Sequence, residues 1–168
     1  SDVYKRQLEN YAKNYKIFLD TCSILEPAID KFWMDIIPFL HRYQNKIIIP
    51  LRTIEELQKH ERNIENINLA NKAKNSLKVL QQLLTAGYVE IRGEKSDNFA
   101  DNVFQVVFTK FRMTNRLLLI TQDNNLAKDI LALNNNRSVK AKQVRAKRID
   151  RYGSVSYTHL RAHETELH

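Results

Sequence analysis

The chain has 168 residues, 43% of them hydrophobic, which suits one soluble globular domain with a single core. Its one cysteine, Cys22, excludes an intramolecular disulfide and a cysteine-rich zinc site, and it favours a reducing, cytoplasmic setting. The formal charge of +8 favours a polyanionic partner, and no run of about 18 apolar residues indicates a signal peptide or a membrane-spanning helix.

Both ends of the chain look foreign to the domain. Residues 1–7 (SDVYKRQ) and 154–168 (SVSYTHLRAHETELH) resemble translated sequencing-adaptor read-through, so we exclude them from the prediction of the fold. On this interpretation the histidines of the tail form no metal site, and the natural protein is expected to continue in both directions. One domain at 8–136 and a basic segment at 137–153 are left.

Short apolar runs alternate with helical patterns along this domain. Strands are predicted at 17–19, 47–49, 88–91 and 117–121, and helical regions at about 28–44, 52–85, 98–114 and 124–134. The strands are rich in Ile and Leu without polar alternation, as is typical of a parallel sheet that helices cover on both faces. We therefore predict a three-layer α/β/α fold with a central, mainly parallel sheet.

The basic segment carries much of the charge. Seven basic residues stand against one acidic residue between positions 137 and 151, which is a local charge of +6. Residues 138–140 are a candidate last edge strand, and the rest is either a basic arm or a linker. Such a run is often only solvated surface, but it also suits contact with nucleic-acid phosphates.

Acidic residues follow three of the predicted strands. Asp20 comes directly after the first, Asp123 follows the fourth, and Glu55 and Glu56 lie in the first turns of the helix after the second. Asp101 would open the helix that leads into the fourth strand. Because ligands bind outside the carboxyl ends of parallel strands, we expect these carboxylates to converge at one rim of the sheet.

Carboxylates that converge repel one another unless a cation lies among them. An all-oxygen site without Cys or His suits Mg²⁺ or Mn²⁺ better than Zn²⁺. Such ions retain water and can assist hydrolysis of a phosphodiester. Each acid also has a simpler explanation, because Asp is a common N-cap and Glu on a helix is usually solvated. Cys22 is not expected to be a nucleophile, since the charge of Asp20 would raise the pKa of its thiol.

Four segments, taken in order, resemble the motifs of PIN-domain ribonucleases: IFLDTCSIL, IIIPLRTIEEL, FADNVF and LLLITQDNNLAKD. The resemblance covers roughly residues 16–135. It implies a PIN-like fold in which Asp20, Glu56, Asp101 and Asp123 bind Mg²⁺ or Mn²⁺. The commonest family pattern has Asn or Ser where this chain has Cys22.

Two of the four predicted metal-binding acids have an alternative nearby, because sequence spacing does not distinguish acids that lie within one helical turn of each other. Glu55 competes with Glu56, and Asp97 competes with Asp101. Four more residues are candidate neighbours of the acids or of nucleic-acid phosphates: Thr21, Arg52, Thr121 and Lys128.

The resemblance implies a metal-dependent endoribonuclease that hydrolyses phosphodiester bonds of single-stranded RNA. In it, Asp20, Asp101 and Asp123 are direct ligands and Glu56 positions a water. The alternative is a catalytically inactive PIN-like module that binds RNA or protein; retention of all four acids favours the enzyme. The family also includes toxins of toxin–antitoxin pairs, so an antitoxin, a further domain of a longer chain and homodimerisation stay open as partners. No membrane partner is expected.

Overall fold

The computed structural model describes residues 2–93, 108–109, 111–135 and 143–157. Within these ranges the strands are β1 (Tyr15–Leu19), β2 (Ile47–Pro50), β3 (Val89–Arg92), β4 (Arg116–Ile120), β5 (Val144–Ile149) and β6 (Val155–Tyr157). They form one sheet in the order β3-β2-β1-β4-β5-β6. The first five strands are parallel, and β6 runs antiparallel to β5. The predicted mainly parallel sheet is confirmed.

The described helices connect these strands. They are α1 (Asp2–Asn14), α2 (Thr21–Ile24), α3 (Ile29–Tyr43), α4 (Leu51–Glu61), α5 (Ile67–Ala86) and α6 (Asn124–Leu131), which a 3₁₀ turn (Ala132–Asn135) follows. None of the helices in the described ranges is long and apolar enough to cross a membrane.

The region predicted as helical at 52–85 is two helices, α4 and α5. The side chain of Asn63 accepts a hydrogen bond from the backbone of Glu65 (2.9 Å), which favours a turn over another helical turn. Asn66 then caps α5 by accepting from the backbone N–H of Leu69 (3.1 Å). The helix ends at Gly87, whose φ of +87° is the left-handed conformation that glycine adopts most readily.

Side chains that alternate along the strands build two cores, one on each face of the sheet. Ile17 and Leu19 of β1 pack with the buried side chains of α1, α3, α4 and α5. Phe18 points to the opposite face, where it packs against Phe108 with ring centroids 4.8 Å apart, and Ile130 of α6 joins the same cluster. Helices therefore cover both faces, and the three-layer α/β/α fold is confirmed.

Segments that the prediction set aside contribute to this fold. Residues 2–7 belong to α1, and the hydroxyl of Tyr4 accepts a hydrogen bond from the backbone of Val155, the first residue of β6, at 3.0 Å. Their adaptor origin stays a prediction. In the basic segment, β5 is a strand inside the sheet at Val144–Ile149, whereas the candidate edge strand 138–140 lies outside the described residues. Most of the predicted helix at 98–114 lies outside them too.

Candidate active site

The strand order reverses between β1 and β4, because the chain adds β2 and β3 on one side of β1 and later adds β4 and β5 on the other. Such a switch point opens a crevice at the carboxyl ends of the two central strands, and this is where open α/β sheets bind ligands. Asp20 follows β1 directly, and Thr121 follows β4 directly. The predicted acids of the first and fourth motifs therefore belong to the same rim.

Asp20 is a buried carboxylate, with only 5% of its surface exposed. Its Oδ1 accepts the backbone N–H of Ser23 (3.0 Å), so it caps the short helix α2, and its Oδ2 accepts the hydroxyl of Thr121. Burial raises the pKa of Asp20 above its ordinary value, although the hydrogen bonds from Thr121 and Ser23 act in the opposite direction. The site thus places a carboxyl group in desolvated surroundings that disfavour its charged form.

The hydroxyl of Thr121 links this buried acid to the acid of the fourth motif. While it donates to Asp20, its oxygen accepts the backbone N–H of Asp123 at 3.0 Å. Thr121 is 1% exposed, so neither contact competes with bulk water. The side chain of Thr121, directly after β4, therefore fixes the position of Asp123 relative to Asp20.

Asp123 is exposed and caps α6. Its Oδ1 accepts the backbone N–H groups of Asn125 (2.9 Å) and Leu126 (3.1 Å). Among the described residues, none donates a hydrogen bond to its Oδ2. The capping role that the sequence left open is real, and Oδ1 alone serves it among the described contacts.

Glu56 reaches the same rim from α4 through Thr21. The Thr21 hydroxyl donates to Oε2 of Glu56 at 2.6 Å, and Thr21 immediately follows Asp20. The other oxygen, Oε1, accepts Nε of Arg52 at 3.2 Å. Glu55, the competitor one residue earlier, is exposed.

Cys22 lies next to the two aspartates. Its thiol donates to Oδ2 of Asp20 at 3.4 Å. Although Cys22 as a residue is exposed, the partial burial of its sulfur raises its pKa to about 12, and the charges of Asp20 and Asp123 add to this. A thiol with such a pKa is protonated at neutral pH, which agrees with the expectation that Cys22 is not a nucleophile.

Some of the remaining predicted residues contact the acids at this rim, and others do not. Thr21, Thr121 and Arg52 all hold carboxylates, so their polar groups already have protein partners. Lys128 is exposed on α6. Asp101 and its competitor Asp97 lie outside the described residues.

Two residues at the site were missed in the sequence. The Ser23 hydroxyl donates to the carbonyl of Ile120 (3.0 Å) and so ties α2 to β4. The Gln122 side chain bonds both the backbone N–H (2.9 Å) and the carbonyl (2.8 Å) of Ile149, which anchors the rim to the end of β5. The position of Gln122 directly after the predicted strand 117–121 was the only signal available for this contact.

A divalent cation fits the chemistry of this rim. Asp20, Glu56 and Asp123 offer carboxylate oxygens, the donors that hard ions prefer, and a nearby cation would offset the burial that raises the pKa of Asp20. Within the described part of the chain, no group of three or more His, Cys, Asp or Glu residues is arranged to hold a metal ion. The described aspartates would therefore supply only part of a ligand set.

Comparison with known protein families gives a match over most of the chain. The family model described as "PIN domain" matches residues 17–145, a range that begins within β1, ends within β5 and contains every candidate acid of the site. No curated protein matches the chain. PIN domains are usually nucleases and generally use divalent metal ions.

Proposed function

The chain belongs to the PIN-domain family, and we propose that it is a metal-dependent endoribonuclease that hydrolyses phosphodiester bonds of single-stranded RNA. The observation that carries the proposal is the Thr121 hydroxyl, which joins the acids that follow β1 and β4 at the switch point of the sheet. A purely structural cap at Asp123 would not need a buried partner carboxylate on the neighbouring strand.

Asp20 and Asp123 would hold Mg²⁺ or Mn²⁺, together with Asp101. The ion would supply stabilisation of negative charge on the phosphodiester and activation of water. Thr121 donates to Oδ2 of Asp20 and accepts the backbone N–H of Asp123, so it would hold the two residues in a fixed relation before the ion binds. This pre-orientation is the contribution of the protein to metal affinity.

Glu56 would orient the attacking water. The Thr21 hydroxyl and the Arg52 guanidinium each hold one of its oxygens, and the side chain is still partly accessible to solvent. A carboxylate fixed at two points can present one lone pair in a constant direction, which suits a group that positions a proton acceptor or donor. Thr21 and Thr121 act through the acids that they hold, whereas Arg52 and Lys128 are the candidates for phosphate contact.

The test is cleavage of labelled single-stranded RNA and single-stranded DNA by the purified protein with Mg²⁺, Mn²⁺ or EDTA. Asp20→Asn is compared with Asp129→Asn, a substitution of an exposed aspartate on α6 that removes the same charge. We expect RNA to be cut with metal by the wild type and by the Asp129 variant only. Binding of RNA without cleavage under every condition would replace the nuclease with an interaction module.

A further inference from the structure

A polar cleft of about 510 Å³ lies at the opposite end of the central strands from the acids. It opens at the amino ends of β1 and β4, where Tyr15 pairs in register with Arg116. β1 has five residues, which corresponds to roughly 16 Å at about 3.3 Å per residue, so the cleft is separate from the rim that carries Asp20. Its volume falls in the range of about 300–1,000 Å³ that small-molecule sites occupy.

The side chains around this cleft are basic. Lys13, Lys16 and Arg116 line it, and none of the described residues that line it is acidic. Lys13 and Arg116 are exposed and Lys16 is half-buried. The described part of the chain places no carboxylate within ion-pair distance of any of the three. The cleft therefore presents three positive charges without internal neutralisation.

A simpler role for these cations would be to complement the helices α1 and α3, which both end at the cleft. The carbonyl of Ala12 in α1 and that of Leu40 in α3, however, already have donors. The Asn45 side chain donates to the carbonyls of Ala12 and Tyr15 (both 2.8 Å), and its backbone N–H donates to that of Leu40 (3.0 Å). Even with each helix end counted as about half a negative charge, the cleft keeps a net charge of about +2.

The acid nearest in the chain to this region is engaged elsewhere. Glu9 on α1 accepts the Tyr43 hydroxyl (2.8 Å) with one oxygen and the Arg42 guanidinium (3.3 Å) with the other. The ring of Tyr43, which also lines the cleft, lies 5.9 Å from Nζ of Lys13, a distance at which an aromatic ring attracts an ammonium group. The positive potential is therefore directed at the solvent and at whatever enters the cleft.

We propose that this cleft binds a phosphate group, carried either by the backbone of single-stranded RNA or by a free nucleotide. Three cations that line one cleft together with amide side chains can recognise a phosphate by charge and hydrogen bonding, and they discriminate against cations and neutral ligands. The proposal does not depend on cleavage, because phosphate binding here needs neither the acids nor a metal. In a nuclease, the cleft would hold RNA at a distance from the bond that is cut.

Binding is measured in EDTA by fluorescence anisotropy of a short labelled RNA, and by calorimetry with inorganic phosphate and AMP. The test variant is Lys16→Gln with Arg116→Gln. The matched control is Lys74→Gln with Lys78→Gln, which removes the same charge from exposed positions of α5. Lys13→Gln, at an exposed helical position, serves if the test variant does not fold.

We expect the test variant to bind its ligand about 10-fold more weakly, and the control to change binding less than about 2-fold. If the ligand is RNA, the slope of log affinity against log salt should fall by about 1.4, since each contact to a single strand contributes about 0.7. Loss of AMP binding with RNA binding unchanged would assign the cleft to a free nucleotide. Equal behaviour of the two variants with every ligand, or no binding by the wild type, would overturn the proposal.

Because no metal is present, these outcomes do not depend on whether the protein cuts RNA. A protein that cleaves RNA but binds no phosphate in the cleft would support the proposed function and contradict this inference. A protein that binds phosphate in the cleft but does not cleave RNA would support this inference and contradict the proposed function.

Discussion

Thr121, at the end of β4, donates a hydrogen bond to the buried Asp20, at the end of β1. The two residues are far apart in the sequence and meet because β1 and β4 are parallel neighbours, with Leu19 in register with Ile120. The same hydroxyl oxygen accepts the backbone N–H of Asp123. One side chain thus fixes the two described aspartates of the candidate metal site.

Thr121→Val should weaken metal binding while it preserves the shape of the side chain. Removal of a hydrogen bond to a metal ligand typically lowers metal affinity or activity about 10- to 100-fold. Thr121→Ser keeps the hydroxyl and should restore most of the affinity. The measurement is the Mn²⁺ concentration that gives half-maximal RNA cleavage, with Thr85→Val on the exposed surface of α5 as the control. A normal Mn²⁺ dependence in Thr121→Val would show that the contact is only structural.

Substitutions of Asp123 should separate its two roles. Asp123→Ala removes the acceptor for the first N–H groups of α6 and should lower the free energy of unfolding by about 0.5–2 kcal/mol. Asp123→Ser keeps an oxygen that can cap the helix and should recover most of this stability. Because both variants lack the carboxylate, neither should cut RNA. Urea unfolding and cleavage are measured on the same preparations, and cleavage by the serine variant would remove Asp123 from the site.

Thr21 and Arg52 hold the same carboxylate but should have different kinetic effects. Thr21→Val frees one oxygen of Glu56 and should lower kcat with little change in KM, because it disturbs a group that acts on the reaction. Arg52→Ala should chiefly raise KM if the guanidinium also meets a substrate phosphate. Steady-state cleavage with Thr21→Ser as the conservative control tests both. Parallel losses of kcat in both variants would assign Arg52 to positioning of Glu56 alone.

The sequence predicts those strands in which an apolar run of residues is also buried in the structure. The segments 17–19, 47–49 and 117–121 read as buried strands, and each is a parallel strand of the sheet. β5 was missed because it alternates charged and apolar residues, which resembles a basic arm. In the structure Lys147 is only 4% exposed, and its ammonium lies 3.5 Å from the ring centroid of Tyr157. Tertiary contacts, which sequence spacing does not report, allow such a lysine in a strand.

The candidate site was predictable to a similar degree. Strand-end positions are enough to bring Asp20 and Asp123 to one rim, because topology decides that placement. The choice between Glu55 and Glu56 depends on the rotation of α4 about its axis, which becomes visible only through the contact of Glu56 with Thr21. The roles of Ser23 and Gln122 also depend on their partners, the backbones of β4 and β5. Local sequence does not encode such partners.

Cys22 should react slowly with iodoacetamide although it is exposed. With a pKa of about 12, only about one thiol in ten thousand is ionised at pH 8, compared with about a quarter for an ordinary cysteine. Asp20→Asn removes one of the charges that raise this pKa and should accelerate the reaction. Mass spectrometry follows the labelling of the single cysteine, with the protein in urea as the reference for an unperturbed thiol. Equal rates in folded and unfolded protein would contradict the proposed environment.

Asp20→Asn should stabilise the metal-free protein increasingly as the pH rises. Burial raises the pKa of Asp20 in the folded state above the value of about 3.9 in the unfolded chain, so folding favours its protonated form. This contribution to stability is fully present below the unfolded pKa and is lost as the pH rises through the folded pKa. Asparagine carries no charge at any of these pH values, so the Asp20→Asn variant does not lose stability in this way as the pH rises.

Urea unfolding in EDTA, from about pH 4 to pH 7, measures this difference between wild type and Asp20→Asn, with Asp129→Asn as the control. The free energy of unfolding of Asp20→Asn relative to wild type should increase across this range, whatever constant offset its altered hydrogen bonds introduce. Added Mn²⁺ should then stabilise the wild type and leave Asp20→Asn almost unchanged, since an ion that binds only the folded state adds to its stability. A relative stability that is independent of pH would mean that burial does not disfavour the charged form of Asp20, and the argument from this burial for a nearby cation would be lost.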